Sequence, residues 1–124
     1  MHELTLAKQI ADTVLAHAAE RSAKRVLAVE VELGDLAFLD KENMEMWIGA
    51  SLRDSSGSEP AVRVTTLQSL LRCHACGFEG PPVLPESHDH HLPLPSLQCP
   101  RCGSSDFELD EQKGCLLKRI EIEV

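Results

Sequence analysis

Apolar residues recur at helical spacing over residues 4–22. Leu4, Ala7, Ala11, Val14, Leu15 and Ala18 form one stripe, while Lys8, Asp12 and Glu20 lie mostly off it, which predicts an amphipathic helix. The period then shortens to two. Leu27, Val29, Val31 and Leu33 alternate with Ala28, Glu30 and Glu32, the pattern of a half-buried strand, and Gly34-Asp35 ends it. A short apolar patch, Leu36 to Leu39, leads to Asp40, a good N-cap for a second helix over 41–53. Met44, Trp47, Ile48 and Leu52 supply that helix's buried side. A polar loop, Asp54 to Pro60, precedes a β-branched, alternating run from Ala61 to Leu67, read as a second strand. At the end of the chain Ile120, Ile122 and Val124 alternate with Arg119, Glu121 and Glu123, which predicts a third strand.

The stretch between the second and third strands is of another kind. It holds Cys73-His-Ala-Cys76-Gly and Cys99-Pro-Arg-Cys102-Gly, with 22 residues between the pairs. From Pro81 to Pro95 it carries five prolines and three histidines, and no regular structure is expected there. A terminal strand must still bury its apolar edge, and the nearest core is that of the first two strands and the helices. The expected fold is therefore α+β: a small three-stranded sheet packed by two helices, residues 1–68 with 110–124, and an inserted four-cysteine, zinc-ribbon-like module, residues 69–109.

Composition narrows the partners. Aromatic residues make up 3% of the 124 residues, so the core must be aliphatic. Twenty acids against 12 bases give a formal charge of −8, which argues against a nonspecific grip on nucleic acid or an anionic membrane. Charged residues interrupt the first 25 positions, so no secretory signal is read there, and no segment is apolar for long enough to span a bilayer. Five cysteines without an export signal favour a reducing, cytoplasmic setting and metal ligation over disulfides. Cys115 stands apart from the pairs and reads as a free, packed thiol near a strand start.

Two Cys-x-x-Cys pairs supply four thiolates, the complement of a tetrahedral structural zinc. Two intervening residues let both sulfurs of a knuckle face one ion. The glycine that follows each pair, Gly77 or Gly103, can take a left-handed conformation to close the turn. The same donor set also holds iron in rubredoxin-like electron carriers, and zinc ribbons also bind nucleic acid. The acidic residues around these knuckles, Glu79, Glu86, Asp89, Asp106 and Glu108, weigh against the last use. His74 lies inside the first knuckle and could displace a thiolate, but with sulfur already filling the four positions it reads as solvent-facing. His88, Asp89, His90 and His91 form a cluster that reads either as a solvated loop or as a transient contact for nickel, copper or zinc.

The chain start offers a second set of donors. A histidine at position 2 is ordinarily an exposed residue in a fraying first turn. Yet the terminal amine of Met1, the amide nitrogens of His2 and Glu3, and the His2 imidazole can all reach one ion. Four nitrogens in a plane suit Ni(II) or Cu(II) rather than zinc. The amine and imidazole must shed protons to bind, so affinity should fall with pH. The Glu3 carboxylate is open to two roles, steering a partner or favouring the helix N-terminus by its charge.

Taken together, Met1-His2-Glu3-Leu4, the helix-strand-helix-strand segment, the two cysteine pairs and the closing Leu116-Leu-Lys-Arg-Ile120-Glu-Ile-Glu-Val124 resemble the HypA/HybF family of nickel chaperones for [NiFe]-hydrogenase maturation. The resemblance covers essentially the whole chain. It implies a nickel site on Met1, His2 and Glu3 and a zinc site on Cys73, Cys76, Cys99 and Cys102. It further implies a metallochaperone that is not an enzyme, as monomer or homodimer. Such a protein docks with the nickel-loading GTPase HypB and helps deliver nickel to the hydrogenase large subunit, with urease a further client in some relatives.

Overall fold

The computed structural model describes residues 3–84 and 97–124. Helix α1 spans Glu3–Glu20, strand β1 Arg25–Gly34, helix α2 Lys41–Ser56 and strand β2 Ala61–Leu67. Strands β3 (Leu70–Cys73), β4 (Glu79–Gly80) and β5 (Phe107–Asp110) follow, and β6 spans Cys115–Glu123. These form two three-stranded sheets, β2-β1-β6 and β4-β3-β5. The fold is α+β, with the two helices on the first sheet and the cysteine pairs on the second.

In the first sheet β1 pairs parallel with β2 and antiparallel with β6. On the helix-facing side this register sets Val26 opposite Ile122, Val29 opposite Ile120 and Val31 opposite Leu117. On the other side Glu30 lies between Arg63 of β2 and Arg119 of β6, a cross-strand charge ladder suited to water. Val14, Val29, Val31, Leu33, Met44, Ile48, Leu52 and Val64 are buried in one aliphatic core. Each such side chain contributes roughly 1.5–3 kcal/mol by leaving water. Glu45 reaches from α2 to accept the Val64 N–H at 2.9 Å, occupying a donor of the parallel edge strand.

Several expectations need correction. Leu27 does not join the inward set: it is 41% exposed, and Val26 is buried in its place. The pairing with β6 shifts between Val26 and Ala28, so Leu27 is an extra residue that a β-bulge turns outward. Trp47, expected on the buried side of α2, is 36% exposed. In α1 Ile10 is buried and Leu4 is exposed, which rotates the apolar stripe slightly. Asp54 to Ser56 are helical rather than loop. The Ser56 hydroxyl donates back to the Leu52 carbonyl at 2.6 Å, and the Gly57 N–H closes the helix on Arg53 at 2.8 Å. Asp40 is the N-cap, accepting from the Asn43 N–H at 2.9 Å.

The passage between the sheets is tied at one place. The patch after β1 is a 3-10 turn, Asp35–Ala37, followed by Phe38 in a left-handed conformation. Asp35 accepts from both the N–H and the hydroxyl of Ser69, and the Ser69 Oγ in turn accepts from the Gln112 N–H at 2.9 Å. Leu36 donates its N–H to the Gln112 carbonyl at 2.9 Å, and Gly34 donates to Gly114 at 2.8 Å. The backbone comes so close here that a Cβ on Gly34 would lie 2.2 Å from the Gln112 carbonyl oxygen, so only glycine fits.

Candidate metal centre

The two knuckles are built by the same local bonds. Cys73 donates its N–H to the Phe78 carbonyl and receives on its own carbonyl the N–H of Gly77; Cys99 does the same with Ser104 and Gly103. Gly77 and Gly103 have φ near 79° and 78°, the left-handed conformation that turns each chain back on itself. Strand β3 runs into the first knuckle and pairs with β5, Cys73 lying opposite Phe107 and Arg72 opposite Glu108. Phe78, Phe107 and Leu109 pack against Leu71, Cys73 and Cys99 as a small apolar support.

The ligand atoms of Cys73, Cys76, Cys99 and Cys102 all lie within 4.8 Å of one another. The Cys73–Cys102 and Cys76–Cys99 sulfur separations are both 3.6 Å. A tetrahedral ion with metal–sulfur bonds of ~2.3 Å sets its ligands about 3.8 Å apart, so the four thiols fit such an ion with little movement. Cys73 and Cys99 are buried and Cys102 is exposed, which leaves one side of the site facing water.

Burial opposes ionisation of Cys99, but N–H groups of Cys102 and Arg101 and the neighbouring thiols outweigh it, drawing the group down to about 6. At Cys102 the Ser104 N–H favours the thiolate, yet partial desolvation and the three other sulfurs push it up to about 12. Charge accumulation on four adjacent sulfurs thus limits ionisation until a cation neutralises it.

His74 is not turned toward the sulfurs. Its Nδ1 lies 3.1 Å from Asp106 and its Nε2 3.5 Å from Glu108. The hydrogen bond to Asp106, with the charge of Glu108 beside it, holds the imidazole above its ordinary range although partial desolvation opposes this. Its contacts therefore brace the knuckle against β5. The same acidic pattern surrounds Arg72, which lies 3.8 Å from Glu79.

The nitrogen donors predicted at the chain start are only partly described. Met1 and His2 lie outside the described residues, as do His88, His90 and His91. Glu3 is the first residue of α1, and its carboxylate accepts the Asp40 N–H at 3.2 Å. Its side chain thus ties the start of α1 to the N-cap of α2, while its charge stays in the first turn of its own helix. Sequence reasoning missed this contact, because the partners are 37 residues apart. It also missed Ser69, which is buried at 1% exposure with no periodicity to mark it. Cys115 opens β6, half-buried against the first core.

A family model described as hydrogenase/urease nickel incorporation, metallochaperone, hypA matches residues 1–122. The chain belongs to the HypA family. Hydrogenase maturation factor HypA of Pyrococcus horikoshii is 33% identical to it, across 99% of this chain and 96% of that protein. The HypA protein of the same description from Methanothermobacter thermautotrophicus is 32% identical, across 99% and 98%. The fold also resembles the solution structure of the Ni metallochaperone HypA from Helicobacter pylori, at a TM-score of 0.55 and 17% identity over 99% of this chain and 98% of that one. In this HypA-family chain the four cysteines are a cluster, found among the described residues, that could hold a metal ion.

Proposed function

We propose that this chain is a nickel metallochaperone that binds Ni(II) through its first residues and passes it on for [NiFe]-hydrogenase maturation, and in some settings for urease. The observation that carries this reading is the family match along residues 1–122, which includes both the chain start and the cysteine pairs. In the proposed division of labour, residues 1–68 with 110–124 form the nickel-holding unit. Residues 69–109 form a zinc-held module, with Cys73, Cys76, Cys99 and Cys102 as the zinc ligands.

The proposed nickel donors are the Met1 amine, the amide nitrogens of His2 and Glu3, and the His2 imidazole. One feature of the fold supports this set. As the first residue of α1, Glu3 has an N–H with no acceptor inside its helix, so that nitrogen can be given to a metal without breaking the helix. Two deprotonated amides would balance the dication, and a neutral centre meets little opposition from the positive end of the helix dipole. Such a site holds and releases an ion rather than transforming a substrate, so the chain acts as a carrier and not an enzyme. Copper would bind these nitrogens more tightly than nickel, so selectivity comes from availability and partners.

Within this reading the partners are the GTPase HypB and the hydrogenase large subunit, and the setting is the cytoplasm. No helix among the described residues is long and apolar enough to cross a membrane, which fits. The acidic surroundings of Arg72 and His74 disfavour a phosphate backbone, and so a nucleic-acid-binding ribbon.

The test is metal stoichiometry on untagged protein. We expect one nickel per chain beyond the sulfur-bound ion, lost in His2→Ala and lost equally when an N-terminal extension converts the amine to an amide. Nickel uptake undiminished by both changes would refute the assignment.

A further inference from the structure

The two edges of the first sheet are treated differently. On the β2 edge the Val64 N–H is taken by Glu45. On the other edge β6 is the last strand, and no strand covers its outer side among the described residues. Beside that edge lies a groove of about 310 Å³, between the C-terminal part of α1 and β6. This is at the lower limit of the roughly 300–1,000 Å³ usual for small-molecule sites. No β1 residue lines it, so it opens along the outer margin of β6 rather than over the middle of the sheet.

The groove has an apolar floor and a cationic rim. Leu117, Ile120 and Ile122, partly buried against the core, provide the floor, and Ala18 lines the groove beside them. Arg21 and Lys118 stand at the rim, and neither forms an ion pair with a carboxylate among the described residues. The position of Lys118 is not a consequence of ordinary strand alternation. Glu30 pairs with Arg119 and Val31 with Leu117, so Lys118 is an extra residue in β6. That second bulge re-aims its side chain and lets successive residues line one groove. In a chain of formal charge −8, two unpaired cations beside an open strand edge and an apolar floor form a local exception.

We propose that this edge docks an extended segment of another protein in which aliphatic and acidic residues alternate, added to β6 as a fourth strand. Backbone bonds to the open edge would hold it, its aliphatic side chains would enter the groove, and its acidic ones would meet Arg21 and Lys118. A lysine-bearing bulge also guards an edge against indiscriminate pairing. A cationic guard selects, because it repels basic strands and attracts acidic ones. A second copy of this chain fits less well. Antiparallel β6–β6 pairing about Ile120 sets Arg119 opposite Glu121, but Arg119 is already bound to Glu121 of its own strand and lies beside Glu30.

The probe is a blocked synthetic peptide of alternating valine and glutamate, titrated into isotope-labelled, zinc-loaded full chain. We expect amide shifts concentrated in residues 116–122 and affinity that falls as salt is raised. Charge reversal with Arg21→Glu and Lys118→Glu should weaken the peptide at least about tenfold and strengthen a valine–lysine peptide in its place. Should that variant not fold, Arg21→Gln with Lys118→Gln gives the loss alone. N-methylating the peptide should abolish binding in one alternating frame and spare the other. Four results overturn the proposal: no shift in β6, indifference to charge reversal, equal tolerance of both N-methyl frames, or a concentration-dependent dimer that occupies the edge and excludes the peptide.

Discussion

The Asp35 carboxylate takes the hydroxyl of Ser69 at 2.6 Å and its backbone N–H at 2.9 Å. Ser69 then binds the Gln112 N–H, so one carboxylate pins both chain segments that pass between the two sheets. Because Ser69 is buried, its polar atoms have no water to fall back on. Asp35→Ala should destabilise the protein by about 1–3 kcal/mol, the usual cost of stranding a buried polar group. Asp35→Asn should cost less, since its amide oxygen still accepts. Urea unfolding of the two variants checks the order. Equal stability of wild type and Asp35→Ala would mean that the neck is held by other contacts.

Removing the sulfur-bound ion should act on one half of the molecule. Among the described residues Leu71, Cys73 and Cys99 are the buried residues of the second core, too few to fold a module alone. Among the described residues the first core contains 13 buried residues, and none of them is one of the four cysteines. A strong chelator should therefore collapse the amide dispersion of β3, β4 and β5 and leave α1, α2 and the first sheet folded. The ion is worth on the order of 10 kcal/mol to such a module. Dispersion retained throughout after complete metal removal would contradict this.

Cysteine reactivity should divide the five thiols sharply. Cys115 is half-buried, and burial pushes its thiol above the ordinary value. Since the thiolate is the nucleophile, Cys115 should alkylate slowly at neutral pH, with its rate rising only at a pH higher than a free cysteine needs. With metal bound the other four should be protected as well. Mass spectrometry after brief iodoacetamide treatment should find almost no labelling in the loaded protein, and four rapidly labelled sites after chelation. Rapid labelling of Cys115 in folded protein would refute the burial argument.

Glu3 separates a structural role from a ligating one. Its carboxylate binds the Asp40 N–H, while the proposed metal donor is its backbone nitrogen. Glu3→Ala should lower stability by about 0.5–1.5 kcal/mol, one hydrogen bond's worth, and leave nickel affinity nearly intact. Glu3→Pro should lose the same carboxylate contact, and proline is well tolerated at a helix's first position. It removes the amide hydrogen, however, so a planar four-nitrogen site cannot form. Calorimetric nickel titration of the two variants should differ sharply; matching affinities would exclude the Glu3 amide.

The parts of this molecule that were legible in its sequence are those fixed by neighbours along the chain. Gly77 and Gly103 follow from two-residue knuckles, Asp40 from its place before an apolar period, and the alternation of β2 as far as Thr65 from its own residues. What escaped depends on distant partners. The outward turn of Leu27 exists because β1 carries one residue more than β6 at that point, and neither strand alone reveals it. Trp47 follows the helical period but sits at the margin of the buried face. Asp54 and its serine neighbours have weak helix propensity, overridden by a hydroxyl-to-carbonyl bond and a glycine cap. The Asp35–Ser69–Gln112 tie spans three separated segments, and the Glu3–Asp40 contact joins two helices.

The most direct measurement is the electronic and magnetic state of nickel in untagged protein with its authentic first residue. One equivalent should give a yellow, diamagnetic centre, with sharp signals retained for residues near the chain start. It should be lost as pH falls through the range where imidazole and amine regain their protons. A pale, paramagnetic six-coordinate ion, or binding that persists unchanged in His2→Ala, would contradict the account at its centre.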